Sequence, residues 1–145
     1  MLRFLSLFLL LAASAPAQFL SFEMEFTDSG CVPCTESMQS RLERIRGVES
    51  ASIDLEKGLI HLDLAESNRI RLGPLRARVT QDGTKIQEMR FTAKGVVEER
   101  NGTEVFVPAG LNSAFPVDGE VDLGPADLAG RVIQDGPGFR LEVSH

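Results

Sequence analysis

The chain has no tryptophan and no tyrosine among its 145 residues, and its aromatic content is nine phenylalanines. It is also short of positive charge, with 15 basic residues against 21 acidic ones and a formal charge of −6. A protein so constituted carries no overall electrostatic footprint for nucleic acid or an anionic membrane, so nucleic acid is not an expected partner. Cysteine is equally scarce, since Cys31 and Cys34 are the whole supply. A structural zinc centre needs four ligands, and two Cys with two His make a poor source for one. No paired carboxylates, no Ser/His/Asp order and no phosphate-cradling glycine loop stand out, so a binding protein is expected and not an enzyme. Beyond residue 17 no apolar run is long enough to span a bilayer.

The length and the 43% hydrophobic content suit one ordinary domain or two very small ones. Residues 1–17 read as a signal peptide. Arg3 supplies the positive region, Phe4 to Ala13 the apolar run, and Ala15-Pro16-Ala17 a small-x-small cleavage site before Gln18. Their removal leaves 14 basic against 21 acidic residues, or −7. The expectation is export to a periplasm or the exterior, with no stable membrane span after cleavage, in a compartment where thiols can oxidise.

Apolar residues at 20, 22, 24 and 26 alternate with Ser21, Glu23 and Glu25, which predicts a half-buried strand. A polar loop, Thr27 to Gly30, leads into the two cysteines. From Thr35 the period becomes helical, with Met38, Leu42 and Ile45 on one face and Gly47 as the stop. Cys34 then falls at or inside the first turn, where backbone N–H groups and the helix dipole favour a thiolate. Val48 to Leu55 and Ile60 to Leu64 predict a hairpin around Glu56-Lys57-Gly58. Leu72, Leu75 and Val79 predict a second helix with Pro74 in its first turn, and in the mixed stretch Ile86 to Val97 Met89 and Phe91 predict a further strand, with Val96-Val97 its continuation or a fresh one. Strand, helix, strand, strand, helix, strand is the split βαβ order, an antiparallel sheet with two helices on one face. Past about residue 90 short apolar runs alternate with Gly-containing turns, which predicts a small all-β, barrel-like region. The expected class is therefore α+β, a ferredoxin-like βαββαβ domain over residues 18–88 followed by an all-β domain or extension over 89–145.

The spacing Cys31-Val32-Pro33-Cys34 leaves three chemistries open: a soft-metal site, a disulfide, or a redox pair. Residues 22 to about 87 resemble the heavy-metal-associated domain of copper chaperones, P-type ATPases and the periplasmic mercury-binding protein. The resemblance rests on Cys31-Val32-Pro33-Cys34, on Met38, Leu42 and Ile45, on Gly47-Val48, and on Ile53-Asp54-Leu55-Glu56-Lys57-Gly58 with the strand through Leu62. It implies that Cys31 and Cys34 are metal ligands for a soft cation, Cu(I) first and Hg(II) or Zn(II) after it. It also implies a metal-transferring protein partner. Asp28-Ser29-Gly30 stands where the family has Gly-Met-Thr, and Gly83-Thr84 where it has Gly followed by an aromatic residue. Among the other candidates, His61 alternates with apolar neighbours and reads as a sheet-surface residue, and His145 is terminal. Met24 and Met38 fall on apolar periods and read as core. Glu23, Glu25, Asp54 and Asp63 read as solvated faces, and Asn101-Gly102-Thr103 as a turn.

Overall fold

The alternation at residues 22 to 26 forms the centre of a long first strand, β1 (Gln18–Thr27), in a computed structural model that describes residues 18–28, 30–108, 111 and 113–144. Phe22, Met24 and Phe26 are buried as the alternation requires, but Leu20 is exposed and Phe19 is buried. The cause is a register shift against the neighbouring strand between Phe19 and Ser21, which inserts one residue and inverts the phase of everything before it. The signal peptide expected over residues 1–17 lies outside the described residues.

Helix α1 (Val32–Glu43) buries Thr35, Met38 and Leu42, and it begins three residues before Thr35. Pro33 explains the earlier start, because a first-turn proline lacks only an N–H that would have no helical partner anyway. Strands β2 (Val48–Asp54) and β3 (Leu59–Leu64) form the hairpin, its turn held by Asp54 Oδ1, which accepts from the N–H groups of Glu56 and Lys57 at 3.1 and 3.0 Å. The weak alternation at the start of β2 has its reason in a further bulge between Val48 and Ser50. Helix α2 (Leu72–Thr80) buries Leu72, Leu75 and Val79, the three residues that predicted it.

Strand β4 (Lys85–Arg100) runs 16 residues without interruption. Its first part pairs with β1, and the sheet there has the order β2-β3-β1-β4 with every pair antiparallel. Helix α1 rests on β2, α2 on β4, and the helices touch each other. The far part of β4 turns back through Asn101-Gly102 into β5 (Thr103–Phe106), both turn residues having the positive φ that a tight two-residue hairpin demands. Strands β6 (Phe115–Asp118), β7 (Gly124–Asp135) and β8 (Gly138–Val143) complete the chain.

These last strands close a ring. β4 pairs with β5, β5 with β6, β6 in parallel with β8, β8 with β7, and β7 returns to β4 over Arg90 to Val97. Closure leaves this barrel without a free edge. The α+β expectation holds, with two helices and a five-stranded barrel that shares β4 with the helix-bearing sheet. Phe19 of β1 is the hinge of the shared interior. Its ring lies 5.1 Å from Phe22, 5.8 Å from Phe91, 5.6 Å from Phe106 and 5.7 Å from Phe115, so residues of β1, β4, β5 and β6 meet in one apolar cluster. Among the described residues no helix is long and apolar enough to cross a membrane.

Candidate functional site

The two cysteines sit at the amino end of α1. Cys31 is its N-cap, extended in backbone, and Cys34 is its third residue. The Cys31 carbonyl accepts from the Thr35 N–H at 3.1 Å and from the Thr35 hydroxyl at 3.2 Å, so the first turn closes directly over the pair. Before it, the Gly30 N–H donates to Asp28 Oδ1 at 2.8 Å and fixes the loop's last bend. Met38 and Leu42, fully buried one and two turns further on, anchor the helix so that its amino end projects from the core. Both cysteines are partly exposed, with the Cα atoms 5.2 Å apart.

The sulfurs are joined as a disulfide. This is one of the three states that the spacing left open, and in it neither sulfur has the lone-pair charge that a soft cation requires. The other sequence candidates do not gather around the pair. Met24 and Met38 are wholly buried in the apolar core. His61 lies on the outer sheet face, its Nε2 3.1 Å from Asp63 Oδ1. Hydrogen bonds from Ser50 and then His61 hold the Asp63 carboxyl below its ordinary value. Glu23 and Glu25 share that outer face with Arg90, which stands 3.7 Å from each. Asp54 caps its own turn, while Ser29 and His145 lie outside the described residues. Among the described residues no three His, Cys, Asp or Glu side chains come together as a metal cluster.

Two supporting residues were less legible than the cysteines. Thr35 is buried behind the pair, and the signal for it is a hydroxyl residue four positions after an N-cap. Arg41 clamps the helix that carries the site: its Nε donates to the Arg78 carbonyl and its Nη2 to Asp82 Oδ2, both at 3.1 Å. Burial opposes the charge on Asp82, but hydrogen bonds from Thr84 and Arg41 outweigh it and keep the carboxyl below its usual range.

No family model and no curated protein matches the chain. Among solved structures, the chain is similar to the yeast copper transporter domain CCC2A, whose structure was determined in apo and Cu(I)-loaded states. The identity is 16%, the match covers 46% of this chain and 93% of that one, and the TM-score is 0.39.

Proposed function

We propose that the protein is an exported binder of a soft metal ion, held between the Cys31 and Cys34 thiolates of a heavy-metal-associated-like, ferredoxin-like βαββαβ domain, and that it carries or scavenges the ion without catalysing a reaction. The observation that supports this reading is the position of both sulfurs at one helix terminus, partly exposed and within a single turn. There the positive end of the helix dipole lowers the cost of two thiolates. Two such sulfurs, with no cluster of three or more His, Cys, Asp or Glu side chains among the described residues, suit a two-coordinate ion, which favours Cu(I), with Hg(II) next and Zn(II) least. A protein that delivers or receives the ion is the natural partner.

The metal form needs the disulfide opened first: two electrons and two protons from an external dithiol give two thiols, and the ion displaces the protons. A second reading, favoured by the joined sulfurs, is an interaction domain in which the bond is permanent. Anaerobic reconstitution of the reduced protein with Cu(I), Hg(II) or Zn(II) tests the first. One equivalent bound, and lost in Cys31→Ser, is expected; no binding, or binding indifferent to that substitution, rejects it. Thiol titration of protein taken from its own compartment tests the second, since two free thiols would dismiss it.

A further inference from the structure

At the opposite end of α1 from the cysteines lies a cleft of about 260 Å³. Five arginines line it: Arg44 and Arg46 just past α1, Arg69 and Arg71 before α2, and Arg78 near the end of α2. Among the described residues no acidic one lines it, and Ile45, Ile70 and Leu75 form its floor. All five side chains are exposed, and among the described residues none of the five guanidinium groups has an ion pair or a hydrogen bond. Of the other described arginines, Arg41, Arg90, Arg100, Arg131 and Arg140 each engage a carboxylate, and Arg76 lies 4.0 Å from the Met89 sulfur.

Helix stability accounts for only part of this cluster. Cations at the carboxyl end of a helix are favourable to its dipole, which covers Arg44 and Arg46 past α1 and Arg78 in the last turn of α2. Arg71, however, is the N-cap of α2, it offers no side-chain cap, and the first turn of α2 holds no acid. Arg69 and Arg71 therefore stand where the helix dipole disfavours a cation. Five like charges around one concavity, in a chain with an excess of acid to spend, repel one another with no internal compensation. A multiply charged anion relieves both costs together, and planar guanidinium forks suit phosphate-type oxygens in pairs.

We propose that this cleft is a binding site for a compact, soluble polyanion carrying several phosphate groups. Its volume lies below the range of about 300–1,000 Å³ typical of drug-sized ligand pockets, which fits a small ion better than a large organic molecule. A membrane surface fits less well, because among the described residues the exposed large apolar side chains, Leu20, Val32, Leu55, Val96 and Leu123, all lie elsewhere and none stands at the rim to enter a bilayer.

Inorganic tripolyphosphate, titrated calorimetrically into the full chain at low salt, is the probe. Saturable binding is expected, weakened roughly tenfold when salt rises from about 0.05 to about 0.3 M, as screening of exposed charges requires. The triple variant R44Q/R69Q/R71Q should lose roughly tenfold or more in affinity, while K85Q/K94Q, with two exposed lysines outside the cleft, should stay within about twofold. If the triple variant does not fold, the single R46Q should still weaken binding measurably. C31S/C34S should bind tripolyphosphate as the parent does, which separates this site from the cysteine site. Absence of binding at low salt, or an equal loss in K85Q/K94Q, would overturn the proposal. Co-sedimentation with phosphatidylglycerol vesicles in the absence of tripolyphosphate binding would also overturn it, in favour of a membrane surface.

Discussion

Reduction of the Cys31–Cys34 bond is expected to weaken the fold modestly and to leave it standing. The closed loop contains four residues, and the chain-entropy relation then gives a stabilisation of about 2 kcal/mol. Nothing in the core hangs on the bond itself, since Val32 is 64% exposed and Pro33 is also exposed, while Met38 and Leu42 are held by packing one and two turns away. A domain of this size has a total stability of roughly 5–15 kcal/mol, so the reduced protein keeps most of it. In melting temperature the loss is about 6–10 °C. The assay is thermal unfolding followed by far-ultraviolet circular dichroism, with and without a phosphine reductant, on samples whose two free thiols are confirmed by titration. Loss of a cooperative transition at room temperature on reduction would refute the reasoning, because it would make the fold depend on the bond and leave no folded dithiol to bind metal. An unchanged melting temperature would refute it from the other side, as the bond would then contribute nothing to the folded state.

Phe19→Ala removes the ring that contacts four other phenylalanines and should cost about 4 kcal/mol. In urea the whole protein should shift as one transition; two transitions, only one of them moved, would show that the barrel and the helix-bearing sheet do not share a core. Gly130→Ala places a Cβ against the Glu142 carbonyl where β7 and β8 pair, and should cost about 2 kcal/mol or more. A parent-like urea midpoint would contradict that pairing. Asp82 has a folded-state pKa below its unfolded one, so the unfolded chain binds its proton first. The stability it supplies is complete above about pH 4 and is lost as pH falls through the lower, folded value. Asp82→Asn should therefore cost about 2 kcal/mol near neutrality and flatten the acid limb of the stability curve; an acid limb identical to the parent's would contradict the clamp with Arg41.

Local periodicity carried much of this architecture because most elements bury one face. Ile60, Leu62 and Leu64 could only be a strand with His61 and Asp63 outside, and Leu72, Leu75 and Val79 could only be a helix face. Leu20 and Phe19 exchanged places because a bulge is a property of two strands together, and neither strand's sequence records it alone. The same limit hid how the expected barrel-like region closes. The apolar runs at Val105, Phe115 and Val132 announced strands, but the parallel partnership of β6 with β8 and the return of β7 to β4 depend on residues far apart in the chain. The cysteine pair was visible by spacing alone, whereas its state depends on electrons from outside the chain.

The arginine cleft shows why a net charge misleads about a surface. Arg44 and Arg46 occur in one stretch and Arg69, Arg71 and Arg78 in another, and an excess of acid over the whole chain averages them away. The fold undoes the averaging, since α1 and α2 lie side by side with the chain leaving one close to where it enters the other. The two candidate sites then occupy opposite ends of α1, and the dipole acts differently at each. At the amino end it favours negative charge, which is what a pair of thiolates brings; at the carboxyl end it favours the positive charge of Arg44 and Arg46. A helix of 12 residues is about 18 Å long. That exceeds the screening length of about 8 Å at physiological ionic strength. The two sites should therefore load independently: tripolyphosphate affinity should be the same in the disulfide and dithiol forms at physiological salt, and a difference beyond about threefold would mean that α1 shifts as a body when the bond opens.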